Sequence, residues 1–69
     1  MAETATTGKI KAALAADSGL RDSDISVSTQ DGVVTLDGSV KSQEQAAIAM
    51  QLAQRQEGVA RVENKLSVR

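Results

Sequence analysis

Asp31 and Gly32 separate two short segments in which apolar and polar residues alternate, and this limits the fold more than any other feature. An Asp-Gly pair between two such segments is a strong signal for a two-residue type I′ hairpin turn. A loop of that length also fixes the residues that face each other across the hairpin. The predicted register pairs Thr29 with Val34, Val27 with Leu36 and Ile25 with Gly38. The apolar residues then share one face, which predicts a sheet that is buried on one side.

The segment before the hairpin is predicted to be a helix over residues 5–17, because its apolar residues recur at helical spacing. Ser18, Gly19 and Leu20 follow as a stop signal, with Gly19 in the left-handed position and Leu20 folded back onto the last turn. Gly8 and the nearby threonines weaken the start, so we expect that end to fray.

A second helix is predicted after the hairpin. The run from Ser42 to Gln45 has the S-x-x-Q form of a capping box, which marks a helix start. The helix is expected to continue to about Glu57 and to be closed by Gly58.

Residues 61–69 alternate strictly, which predicts a third strand with a charged outer face. The second strand, the second helix and this strand form a βαβ unit, so the two strands should be parallel. The predicted fold class is therefore α+β, in the order αββαβ. It has a three-stranded mixed sheet and two helices packed on one face. Residues 1–69 make one domain, with an ordered core from about residue 5.

The composition removes most catalytic chemistry. The 69 residues include no Cys, no His and no aromatic residue. Thiolate nucleophiles, imidazole bases, Cys/His metal sites and stacking platforms for bases are thereby excluded. Eight basic and nine acidic residues nearly cancel, so no strong field attracts nucleic acid. We expect a non-enzymatic protein with no cofactor, no metal, no small-molecule substrate and no nucleic-acid partner.

The sequence has no segment with the pattern of a membrane-spanning helix or a signal peptide. The longest run has five residues, which is too short to span a bilayer. The first residues lack the basic and hydrophobic regions of a signal peptide. Two interpretations follow: a cytoplasmic protein, or a mature form whose export signal has been removed.

Three runs of residues together resemble the BON domain family, over about residues 4–69. They are Ile25-x-Val27, then Asp31-Gly32-Val33-Val34-x-Leu36-x-Gly38-x-Val40, then Gly58-Val59-x-x-Val62-x-Asn64-x-Leu66-x-Val68. The chain departs from the usual pattern at Thr6, Gly8 and Gln56. The first two weaken the first helix, and Gln56 stands where an apolar residue is common.

The resemblance implies a binding module exported to the bacterial periplasm, in osmotic-stress protection or envelope maintenance. It would attach to phospholipid surfaces or envelope proteins. One alternative is a periplasmic chaperone or assembly module that binds protein clients through a sheet edge. Another is a small-cation sensor for potassium or calcium, which requires Asp17, Asp22 and Asp24 to converge in space.

Lys9 and Lys11 are the candidate lipid-binding residues. They flank the apolar stripe of the first helix that contains Ile10 and Leu14. One interpretation is that both lysines contact lipid headgroups while the stripe holds the helix in place. The other is an ordinary solvated flank.

Four further residues are predicted to have structural roles. Gly32 is assigned to the hairpin turn, Gly38 to a close approach of backbones, and Gly58 to the helix stop. Asn64 is the one polar residue on the inward face of the last strand. We expect it to be hydrogen-bonded, because an unpaired buried amide costs about 1–3 kcal/mol.

Overall fold

The computed structural model describes residues 2–20 and 22–69, with side chains described from residue 5, and it has the predicted αββαβ order. The elements are α1 (Ala2–Ala16), β1 (Asp24–Gln30), β2 (Val33–Val40), α2 (Gln43–Gln54) and β3 (Arg61–Val68), with a short 3-10 helix at Ser18–Leu20. The strands form one sheet in the order β1-β2-β3. β1 and β2 are antiparallel, and β2 and β3 are parallel. The α+β class with a mixed sheet is confirmed.

The hairpin has the register that the turn residues predict. Ile25 faces Gly38, Val27 faces Leu36, and Thr29 faces Val34. Asp31 and Gly32 have φ values of 52° and 80°, both positive as a type I′ turn requires.

Gly38 lies on β2 at a close approach to β1. Its φ is 121°, a conformation that residues with a side chain rarely adopt. A Cβ atom built at this position would overlap the backbone carbonyl oxygen of Asp24. The two strands therefore keep their spacing here only with a residue that has no side chain.

One face of the sheet carries the core, and both helices pack against it. On this face Val27 of β1 and the apolar residues Val34, Leu36 and Val40 of β2 are buried, whereas the serines of β1 on the opposite face are exposed. The largest fully buried side chains are Ile10, Leu36, Val34 and Val40. α2 contributes the small buried residues Ala46, Ala49 and Ala53. Small side chains allow this helix to lie close to the sheet.

The first helix begins earlier than the sequence predicts. α1 starts at Ala2 instead of residue 5, despite the low helix propensity of its threonines and Gly8. Tertiary contacts explain the difference. Thr6 is buried, and the Thr7 hydroxyl donates to the Thr29 hydroxyl of β1 at 2.8 Å. This end of the helix is thus attached to the sheet.

The end of α1 also differs from the prediction. Gly19 does not have a positive φ, so the left-handed stop predicted for it is wrong. Its backbone N–H instead donates to the Asp17 carboxylate at 2.8 Å, which closes a tight turn. Leu20 is buried, so its predicted return to the core is confirmed.

One of the two hydrogen bonds of the predicted capping box forms at the start of α2, and the other has a different donor. The Ser42 hydroxyl accepts from the Gln45 N–H at 3.2 Å. The Gln45 side chain accepts from the Lys41 N–H at 2.6 Å and donates to the Gly19 carbonyl at 2.9 Å. This one side chain therefore caps the helix and links it to the 3-10 helix.

The predicted end of α2 is wrong. The helix ends at Gln54 with Arg55 as its C-cap, three residues before the predicted end at Glu57. Gly58 therefore does not terminate the helix. It lies in a separate turn that leads to β3, with a φ of 90°.

Candidate functional site

The outward face of α1 is a strip of small residues flanked by two lysines. Lys9 and Lys11 are both exposed, and neither forms an ion pair with a described residue. They lie roughly 200° apart around the helix axis, one on each side of the buried Ile10. The exposed residues between them on the outward side are Ala5, Gly8, Ala12, Ala15 and Ala16. No acidic residue occurs from residue 5 to residue 16, so this face is electropositive.

A shallow groove of about 330 Å³ runs along one side of this face, between α1 and β1. Its lining is mostly apolar and consists of Lys11, Leu14, Ala15, Leu20, Ser23 and Ile25. Lys11 thus adjoins an apolar groove, whereas Lys9 does not line it. The two predicted residues share the exposed face of α1, but they do not both line this groove.

A second groove, of about 360 Å³, lies between α2 and β3 at the edge of the sheet. It is lined by Gln43, Ala46, Ala47, Met50, Asn64, Leu66 and Val68. Val68 is 49% exposed, although it lies on the face that carries the core. β3 is an edge strand, and α2 does not extend far enough to cover its outer half.

Asn64 lies in this second groove and is hydrogen-bonded as expected, but it is exposed and not buried as its inward-facing position suggests. Its side-chain oxygen accepts from the Leu66 N–H at 2.9 Å, and its side-chain nitrogen donates to the Met50 sulfur at 3.3 Å. The first bond occupies a backbone donor of the edge strand. The second links the strand to α2.

Sequence reasoning did not identify Met50 and Val68 as surface-lining residues. The spacing of apolar residues places Met50 on the apolar stripe of α2 and Val68 on the inward face of β3. The predicted topology does indicate that residues on this side of the sheet are exposed. A strand added in parallel after a crossover helix lies at the edge of a three-stranded sheet, and one helix covers about two strands.

The acidic residues do not converge. Among residues 5–20 and 22–69, no three acidic side chains form a group that could hold a metal ion. The condition on which the cation-sensor alternative depended, convergence of Asp17, Asp22 and Asp24, is therefore not met. No helix within the described chain is long and apolar enough to cross a membrane.

Comparison with known proteins assigns this architecture to a family. Residues 2–69 match the family described as BON domain. The chain is 48% identical over 69 residues to osmotically-inducible protein Y of Escherichia coli (strain K12). That alignment covers 100% of this chain and 34% of the relative, so the chain spans about a third of the relative's length. Together with the αββαβ fold, the match over nearly the whole chain shows that this protein belongs to the BON domain family.

Proposed function

We propose that the chain is a non-enzymatic binding module of the bacterial periplasm that docks onto anionic phospholipid surfaces through the exposed face of α1. The observation that carries the proposal is the electropositive face with Lys9 and Lys11 on either side of a strip of small residues. The absence of Cys and His from the sequence supports a binding role over a catalytic one. The name of the E. coli relative refers to osmotic induction, and a role in osmotic-stress protection or envelope maintenance is part of the proposal.

The physical basis of docking is the spacing of the two lysines around the helix. When the strip of small residues faces the membrane, both ammonium groups lie at its borders and reach the headgroups. Alanine and glycine allow the helix backbone to approach the surface closely. The neighbouring groove between α1 and β1 gives Lys11 an apolar floor, formed in part by Leu14 and Ile25, against which an acyl segment can pack.

The expected affinity is low. One basic residue near an anionic surface contributes about 1 kcal/mol, so Lys9 and Lys11 together contribute about 2 kcal/mol, or roughly thirtyfold in partitioning. The chain has no aromatic residue to anchor it at the interface. Binding by the isolated domain is therefore expected to be weak and to weaken further as salt increases.

Vesicle cosedimentation with matched variants tests the proposal. Lys9→Gln/Lys11→Gln removes both charges from α1, and Lys41→Gln/Arg55→Gln removes the same charge from exposed positions outside it. We expect the first variant to lose binding to anionic vesicles and the second to retain most of it. Equal losses in both variants would indicate a net-charge effect and contradict docking through α1. Equal binding to zwitterionic vesicles would contradict the electrostatic mechanism.

A second candidate function is the binding of protein clients at the free edge of β3. Its supporting observation is the groove beside that edge, which contains the half-exposed Val68. An extended segment can add to such an edge and place alternate side chains in the groove. Suppression of a client's aggregation without lipid, lost in Val68→Lys but retained in Lys9→Gln/Lys11→Gln, would favour this function over membrane docking.

A further inference from the structure

The free edge of β3 has its backbone groups arranged for pairing with another strand. The N–H groups of Arg61 and Arg69 donate to carbonyls of the β2 side, at 3.3 Å to Gly32 and 2.8 Å to Val40. Backbone direction alternates along a strand, so the odd-numbered residues of β3 face β2. The even-numbered residues therefore direct their N–H and C=O groups away from the sheet. They are Val62, Asn64, Leu66 and Val68.

The sequence of this edge is self-complementary about Asn64, because the apolar residues match on either side and the charged residues are opposite in sign. Val62, Glu63, Asn64, Lys65 and Leu66 read as apolar, acidic, amide, basic and apolar. We infer that the partner of this edge is a second copy of the chain, with the two β3 strands pairing antiparallel about a two-fold axis at Asn64. The two three-stranded sheets then become one six-stranded sheet.

Charge complementarity selects this register. A two-fold axis at Asn64 places Glu63 opposite the partner's Lys65, and it does so twice because the contact is symmetric. An axis at Glu63 or at Lys65 instead places like charges directly opposite each other, which is destabilising. An axis at Val62 or at Leu66 shortens the paired segment, because one end of β3 then extends past the partner strand.

The hydrogen-bond geometry agrees with the same axis. Asn64 directs its backbone groups outward, so the residues at the axis form a hydrogen-bonded pair. Val62 and the partner's Leu66 form the next hydrogen-bonded pairs. Glu63 and the partner's Lys65 then occupy the non-hydrogen-bonded positions, where Cα atoms lie about 4.5 Å apart and side chains are closest. Both charged residues are exposed on the outer face of the sheet.

The inner face of this pair is also complementary. α2 packs against both β2 and β3, so the two copies of α2 would be separated by roughly two strand spacings, about 9.6 Å. Packed helices lie about 8–10 Å apart. The exposed Ala47 and the half-buried Met50 line the groove beside β3 and would face the space between the two helices. The half-exposed Val68 would lie opposite the partner's Ala60.

Asn64 opposes this association in the single chain. Its side-chain oxygen holds the Leu66 N–H, a donor that pairing requires for the partner's Val62. Unpaired N–H groups make a sheet edge prone to pairing, and this hydrogen bond removes one of them. Self-association is therefore expected to be reversible and dependent on concentration, with the opening of this hydrogen bond as its intramolecular cost.

Sedimentation equilibrium with charge variants of β3 tests the inference. We expect the unmodified chain to dimerise between micromolar and millimolar concentration. Glu63→Lys or Lys65→Glu alone places like charges opposite each other, and each should weaken the dimer by roughly tenfold or more. An equimolar mixture of the two should form a heterodimer, because every facing pair is again opposite in charge. The double variant Glu63→Lys/Lys65→Glu should restore the homodimer.

The controls separate pairing through β3 from nonspecific effects. Glu57→Lys makes the same charge change in the turn after α2 and should leave the dimer unaffected. Asn64→Ala frees the Leu66 N–H and should strengthen the dimer. A chain that stays monomeric up to millimolar concentration would overturn the inference. A dimer that is insensitive to Glu63→Lys, or single variants that fail to associate when mixed, would overturn it as well.

Discussion

Replacing Gly38 with alanine is expected to remove most of the stability of this domain. Its φ of 121° would impose about 1–3 kcal/mol of backbone strain on a residue with a side chain. The new Cβ would also overlap the Asp24 carbonyl, and overpacking of that kind costs about 1–3 kcal/mol. The total is about 2–6 kcal/mol. A domain of this size has a free energy of unfolding of only about 3–5 kcal/mol.

Gly8→Ala provides the matched control, because it makes the same chemical change where the structure has room. Gly8 is exposed within α1, and a Cβ at that position meets no atom within 4 Å. Alanine is favoured over glycine in a helix by about 1 kcal/mol, so this variant should be more stable than the unmodified chain. Alanine should therefore lower the free energy of unfolding at Gly38 and raise it at Gly8.

Urea and thermal unfolding followed by far-UV circular dichroism measure both effects, since the chain has no aromatic fluorophore. Gly8→Ala should raise the melting temperature by about 4–8 °C. Gly38→Ala is best measured in the Gly8→Ala background, where a larger fraction remains folded. A change below about 0.5 kcal/mol for Gly38→Ala would refute the close approach of β1 and β2 at this position.

Two further pairs of substitutions test the packing and the capping of the fold. Leu36→Ala should lower the free energy of unfolding by about 2–5 kcal/mol, because this side chain is fully buried. Val68→Ala should lower it by less than about 1 kcal/mol, because Val68 lies at an exposed strand end. Urea titration of both variants measures the difference. Gln45→Ala should cost about 1–2 kcal/mol because two hydrogen bonds are lost, and the exposed Gln43→Ala should stay within about 0.5 kcal/mol by the same measurement.

The sheet was predictable from the sequence because several local signals agreed. The turn at Asp31 and Gly32 and the alternation on either side of it independently gave the register found in the structure. The strict alternation of residues 61–69 located β3, and the crossover rule gave its parallel direction. The capping box at Ser42 located the start of α2.

The helix ends were less predictable, because tertiary contacts determine them. α1 begins before residue 5 since buried Thr6 and the Thr7–Thr29 hydrogen bond attach its start to the sheet. α2 ends before Gly58 because the chain must turn early enough to enter β3. Neither effect follows from the local spacing of apolar residues.

The candidate surfaces were predictable only in part. Lys9 and Lys11 were identified from their places beside an apolar stripe, and the structure adds that Lys11 borders the groove between α1 and β1, whereas Lys9 does not. The groove between α2 and β3 depends on how far one helix covers a sheet edge. The extent of this coverage depends on how α2 packs on the sheet, and Asn64 is exposed because α2 leaves the outer side of β3 uncovered.

The most direct test of membrane docking through α1 is an NMR titration of the ¹⁵N-labelled chain with anionic and zwitterionic vesicles at two salt concentrations. Selective broadening of amide signals from residues 5–16 with anionic vesicles, reduced at the higher salt, is the predicted result. No perturbation at millimolar lipid, or broadening centred on β3, would contradict docking through α1.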